Sequence, residues 1–252
     1  MTSEDRFADS AGVPWAGRSF EANDYANDDG KAPEQLMHAI QAFKKGTGTA
    51  VSVIDAFRTS RLLIPLLANL GEGGESAHGL QADKSAELSI VTVEGPDGYD
   101  VLPVFSSVDA MNAWHAEARP VPSDAIRVAL AAASENSTRV VLDAGSPTEF
   151  AIRRPAIEAI ARQLPWVEVQ NNADVAGEFK RLLGAFDEVL DFSLESGDPQ
   201  FLLRAAELVL TLKLTPGLDA EALELVLKRI GEAIAASELI VNQVDSMRLK
   251  LS

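Results

Sequence analysis

The stretch DKSAELSIVTVEGPDGYDVLPVF, residues 83–105, decides the fold. Two apolar runs, residues 88–93 and 101–105, flank Gly95-Pro96-Asp97-Gly98, a cluster of turn formers, so the pattern predicts a β-hairpin. Both runs are apolar enough to be buried on two faces, which places the hairpin at the centre of a mixed domain. The stretch holds no group arranged for chemistry.

Toward the N-terminus, residues 69–82 contain four glycines and His78 and read as a loop. Residues 61–67 read as a strand. Before it, Ala50, Val53, Ile54 and Phe57 fall on one face of a helix over 49–57. Pro33 opens an earlier helix that carries Leu36, Ile40 and Phe43 and stops at Lys44-Lys45-Gly46. Residues 1–32 are rich in Asp, Asn, Ser, Gly and Ala and cannot build a core of their own, so they read as an extended arm. Among its large apolar side chains, Trp15, Phe20 and Tyr25 are spaced about five apart and pin the arm to the following domain or anchor a partner.

Toward the C-terminus, Ser106 or Ser107 caps a short helix ending near Trp114, Ser106 with Asp109 resembling a capping box. After Arg119-Pro120-Val121-Pro122, Ser123 is expected to cap a helix to about Ala133. Residues 139–143 and 149–152 form a second hairpin around Gly145-Ser146-Pro147, and Pro155 opens a helix burying Ile157, Ile160 and Leu164. These elements make one mixed-sheet domain, residues 33–164, of ordinary size.

Pro165 marks a boundary, because the element order restarts there. A strand over 166–170, a helix over 174–183, strands over 188–195 and 207–214, a helix over 219–235 and a strand over 246–251 give βαββαβ, the ferredoxin-like order, for residues 165–252. The expected class is therefore α+β, a mixed-sheet N-terminal domain followed by a ferredoxin-like C-terminal one. Alternation directs Leu190, Phe192 and Leu194 of that sheet to the helices. The opposite face then carries Asp191, Ser193, Val209, Thr211, Lys213, Arg248 and Lys250. It has no aromatic for stacking bases, which argues against RNA binding on that face.

With 46% hydrophobic and 24% charged residues, the 252-residue chain has ample apolar mass for a core. Its apolar runs are too short to cross a bilayer, and its polar, acidic start is unlike a signal peptide. No cysteine is present, so disulfides and thiolate chemistry are absent; the expected location is the cytoplasm. The formal net charge of -16 is spread over the chain: the arm has 7 acids against 3 bases and residues 165–252 have 15 against 8. Direct nucleic-acid binding and anionic membranes are disfavoured, because both require clustered Lys and Arg.

His38, His78 and His115 lie far apart without a second ligand at helical or hairpin spacing, so no metal site is expected. Asn23 to Gly30 fails as a calcium loop, since Tyr25 and Leu36 fall where carboxylates are needed. No nucleophile elbow, phosphate loop or dinucleotide fingerprint occurs, and no catalytic residue or cofactor is assigned. Arg153 and Arg154 together could hold an anion at the entrance of a helix, with Asp83 and Lys84 beside the hairpin. This is the alternative reading, an enzyme or sensor for a small anionic ligand.

Several motifs resemble the SseB family in its actinobacterial form. They are Ala16-Gly17-Arg18-Ser19-Phe20, Asp28-Asp29-Gly30, Asp83-Lys84-Ser85-Ala86-Glu87-Leu88, Leu102-Pro103-Val104-Phe105-Ser106-Ser107, Trp114, Arg119-Pro120-Val121-Pro122 and Asp143-Ala144-Gly145-Ser146-Pro147. Val244-Asp245-Ser246-Met247-Arg248-Leu249 resembles the end of the family's C-terminal domain. The resemblance implies an SseB N-terminal domain followed by a C-terminal one, carries no catalytic residues, and hints at an association with translation. The leading expectation is a non-enzymatic interaction or regulatory protein that meets a protein partner through Trp15, Arg18, Phe20 and Trp114.

Overall fold

Helix α1 (Glu34–Lys44) buries Leu36 and Ile40 and ends where Gly46 takes the left-handed conformation at φ 71, the usual device for closing a last turn. Helix α2 (Ala50–Arg58) starts in a full capping box. The Thr49 side chain accepts from the Ser52 N–H and the Ser52 hydroxyl oxygen accepts from the Thr49 N–H, both at 3.2 Å. Both helices follow the apolar spacing of the sequence. The computed structural model describes Tyr25 and residues 27–69 and 87–252.

Strand β1 (Leu62–Asn69) is the middle of a three-stranded antiparallel sheet, between β2 (Glu87–Ile90) and β5 (Arg119–Ser123). The second sheet has the order β3 (Val93–Glu94), β4 (Asp100–Val104), β6 (Val140–Leu142), β7 (Phe150–Ile152), with β4 and β6 parallel. Leu63 and Phe105 exchange backbone hydrogen bonds of 2.8 and 2.9 Å and stitch the two sheets together.

The central hairpin is therefore shorter than its sequence suggests. Only Val93 and Glu94 pair with β4, across the turn in which Gly98 has φ 81, while β2 crosses to β1. Strand β4 lies between β3 and β6, and its Val101, Leu102 and Val104 are all buried. Arg119-Pro120-Val121-Pro122, expected as a connector, is edge strand β5, a position that tolerates proline.

Helix α3 (Val108–Trp114) is capped by Ser107 and not through a Ser106–Asp109 box, because the Ser106 hydroxyl donates to Asp143. Helix α4 (Ala125–Ser134) is capped by Asp124, Ser123 being the last residue of β5. Helix α5 (Arg154–Ala161) buries Ile157 and Ile160. Leu164 lies beyond its end and is 52% exposed, not buried as its spacing suggested.

In the C-terminal half, helix α6 (Ala173–Leu183) precedes strands β8 (Val189–Ser196) and β9 (Leu208–Leu214). Helix α7 (Ala220–Ala235) and a further short helix, α8 (Glu238–Gln243), lead to strand β10 (Met247–Leu251). The sheet order is β10-β9-β8, with β10 parallel to β9. The ferredoxin-like arrangement expected a fourth strand over 166–170. That segment instead holds a single 3-10 turn, Val169–Asn171, and Trp166 is drawn into the core of the N-terminal half. A register shift between Val189 and Asp191 turns Leu190 outward, 55% exposed, whereas Phe192 and Leu194 stay half-buried against the helices.

Two apolar cores result. One joins α1, α2, α4 and α5 to the strands of the N-terminal half; the other packs Val175, Phe179, Val226, Ile230 and Ile234 against Leu208, Leu210 and Leu212. The first core also takes in Phe201, from the loop between β8 and β9.

Candidate functional site

A small satellite core, Leu63, Phe105, Met111 and Ala118, forms where β1, β4 and α3 meet. Trp114, at the end of α3, packs on it with its ring centroid 5.3 Å from that of Phe105 and stays half-buried. Over the same core runs the chain that precedes α1. The Gly30 carbonyl accepts from the Val108 N–H at 2.9 Å, and Asp28 pairs with Arg61 at 2.9 Å with both side chains largely buried. Arg61 also donates to the carbonyls of Ser106 and Lys31. A Cβ at Gly30 would sit 2.8 Å from Val108 Cγ2, so the approach depends on glycine, which also holds φ 73 there.

This docking leaves a groove of about 280 Å³ walled by Tyr25, Asp28, Asp29 and Gly30 and floored by Leu63, Val108, Pro120 and Pro122. Val121, between the two prolines, is 37% exposed. The groove has room for one large side chain and falls below the usual size of a small-molecule pocket, about 300 to 1,000 Å³. The Lys31 N–H and ammonium hold the Asp29 carboxyl below its usual range, so the rim carries two ion pairs, Asp29 with Lys31 and Asp28 with Arg61.

The second cluster of polar groups lies between the halves. Arg153, at the end of β7, donates to Asp198 at 2.7 Å, to Asp245 at 3.0 Å, to the Ser246 hydroxyl at 3.1 Å and to the Ala205 carbonyl at 2.8 Å. Arg139 donates to Asp245 at 2.9 Å, and Tyr99 covers its guanidinium at 4.3 Å. Its Nη1 lies 3.1 Å from Asp97, a charge contact without the alignment of a hydrogen bond. Burial opposes the charge on Asp245, but the two guanidiniums outweigh it and hold its carboxyl below the ordinary range. Arg154 donates to the carbonyls of Val241, Asn242 and Val244 at the end of α8. Arg153 and Arg154 do meet anions and acceptors, but these belong to the chain itself.

A third polar knot ties β4 to β6. Asp143, buried at φ 50, accepts from the Ser106 N–H and hydroxyl at 2.7 and 2.8 Å and from the Thr148 hydroxyl at 2.8 Å.

Of the residues singled out from sequence, Trp114 falls on the satellite core beside the groove. Trp15, Arg18, Phe20, Asp83 and Lys84 lie outside the described residues, as does the loop carrying His78. Asp198, Glu207 and Asp245 were missed, since Asp198 and Asp245 meet arginines far away in the chain and Glu207 meets the backbone of Asp245. Tyr25, Pro120 and Pro122 were also missed as a group; the alternation of proline with other residues in 119–122 was the available signal of an edge strand. Among the described residues no set of three His, Asp or Glu is placed to hold a metal ion, and no helix is long and apolar enough to cross a membrane.

A family model described as the SseB protein N-terminal domain matches residues 34–159, half of the chain. No curated protein and no solved structure matches it.

Proposed function

Because the chain belongs to the SseB family, we propose that it is a non-enzymatic cytoplasmic protein-interaction or regulatory protein, whose contact surface is the groove between the docked arm and edge strand β5. The observation that carries this reading is the groove itself. It combines an aromatic wall, a proline-rich floor and a half-exposed tryptophan on the adjoining satellite core, the mixture that anchors protein contacts. Its size suits one inserted side chain of a partner better than a free metabolite.

The partner is a protein with a basic contact surface. The chain carries a net charge of -16, so complementary charge on the partner speeds encounter. A basic protein of the translation apparatus is the narrower form of this reading.

The experiment is a comparative affinity purification from the native host. Wild-type protein should capture a partner that the Tyr25→Ala/Pro122→Asp double variant, altered at the wall and floor of the groove and with an unchanged circular dichroism spectrum, does not. Equal recovery by a folded variant removes the groove from the account.

A further inference from the structure

The loop over residues 197–207 is held in an expensive conformation. Phe201 and Leu203 are both left-handed, at φ 54 and 57, a region that bulky side chains rarely occupy. Asp198 holds the loop in that shape: its carboxylate accepts from the N–H groups of Leu202 and Leu203 at 3.1 and 2.8 Å while also meeting Arg153. At the tip, the Phe201 ring enters a pocket made by Phe43, Phe150 and Trp166, and its carbonyl accepts from the Ala151 N–H at 2.7 Å. The loop thereby fastens the C-terminal half to the N-terminal one.

The charges behind the loop do not balance. Asp198, Asp245 and Glu207 are buried there with two buried guanidiniums, Arg139 and Arg153. Asp97 sits at one rim beside Arg139, and Arg154, paired with Glu158, sits at the other. Glu207 is the carboxylate of this cluster that pairs with no guanidinium; its Oε2 accepts only the Asp245 N–H, at 2.7 Å. Its own N–H donates to the Ser246 hydroxyl and its carbonyl accepts from the Gly197 N–H, so it closes the base of the loop.

We propose that loop 197–207 is a proton-controlled latch. With Glu207 neutral the loop closes over the aromatic pocket; with Glu207 ionised, the surplus buried carboxylate frees the loop and uncovers Phe43, Phe150 and Trp166. Burial is the main force that pushes the Glu207 carboxyl up to about 7, the Asp245 charge adding to it, while the Asp245 N–H and the Arg153 and Arg154 charges oppose it. The switch therefore falls near neutral pH.

Amide hydrogen exchange of the full-length protein, read by NMR and corrected for the intrinsic pH dependence, tests the latch at Ala151, Leu202 and Leu203. The opening constant of these amides should rise about 30-fold between pH 5.5 and pH 8, as follows when the carboxyl returns to its ordinary range in the open loop. In Glu207→Gln it should stay flat, and the opening constant of the Leu102 amide in β4 should stay below those of the loop amides at each pH. A flat wild-type response, or an equal rise in Glu207→Gln, overturns the proposal. If the variant does not fold, the wild-type profile alone decides.

Discussion

Phe201 lies flat on Phe150, ring centroids 5.0 Å apart and planes within 8° of parallel, although one belongs to the β8–β9 loop and the other to β7. Phe43 and Trp166 meet the Phe201 ring edge-on at 5.7 and 6.2 Å, so one side chain from the C-terminal half completes an aromatic cluster in the N-terminal half. Such pairs add to the stabilisation given by area burial alone.

Phe201→Ala should destabilise the protein by about 3 to 5 kcal/mol, the range for truncating a buried aromatic. Urea unfolding followed by far-ultraviolet circular dichroism measures it. A loss under about 1 kcal/mol would mean that the pocket closes without the ring.

Arg153→Ala and Arg154→Ala should differ sharply. The first strands Asp198 and shares Asp245 with Arg139 alone, and breaking a buried pair in this way costs about 3 to 5 kcal/mol. The second removes donors to carbonyls at a partly exposed rim and should cost about 1 to 2 kcal/mol. Equal midpoint shifts in denaturant would contradict the assignment of Arg153 as the centre of the junction.

Stability should peak in mildly acidic solution. Asp245, held below its ordinary 3.8, contributes above that value and its contribution disappears as pH falls through the lowered range. Glu207, raised from 4.5 to about 7, contributes fully below 4.5 and loses its contribution as pH rises through 7, at most about 3 kcal/mol. The difference in unfolding free energy between wild type and Glu207→Gln should change between about pH 4 and pH 7.5 and level off above that range.

Asp143→Ala should cost about 2 to 4 kcal/mol, because it orphans a buried N–H and two hydroxyls and places alanine at φ 50. Asp143→Asn should cost less, since asparagine tolerates that backbone and keeps an acceptor for the Ser106 N–H. Thermal unfolding of the pair gives the order.

Arg61→Ala severs the Asp28 pair and two carbonyl contacts without opening the main core. Tryptic cleavage after the exposed Lys31 should quicken several-fold while the unfolding midpoint falls by about 1 kcal/mol or less. Unchanged cleavage would show that the Gly30 to Val108 hydrogen bond suffices to dock the arm.

Much of the fold was legible because its signals are local. The helical stripes of α1, α2 and α7 and the turn at Gly145 lie within a few residues of what specifies them. The failures share one cause. Arg119-Pro120-Val121-Pro122 reads as a breaker until β1 pairs with it, and residues 166–170 read as a strand until the pocket at Phe201 claims Trp166. The candidate site was legible only at Trp114, an aromatic on a short helix. Its floor, Leu63 with Pro120 and Pro122, is assembled by strand pairing that no window of sequence contains. Arg153 and Arg154 were read as holders of an anionic ligand, whereas the acceptors they meet, Asp198 and Asp245 with the carbonyls at the end of α8, lie at the far end of the chain.

The loop that carries Phe201 also orders events during synthesis. Residues 34–160 leave the ribosome before Phe201 does, so the nascent N-terminal half must wait with its aromatic recess unfilled and with Arg153 lacking both Asp198 and Asp245. Domains that emerge incomplete in this way attract chaperones and misassembly. Maturation of the N-terminal half is therefore timed by the translation of the segment around residue 201, a delay that ribosome-bound chains stalled before and after residue 201 would expose as a step in protease resistance.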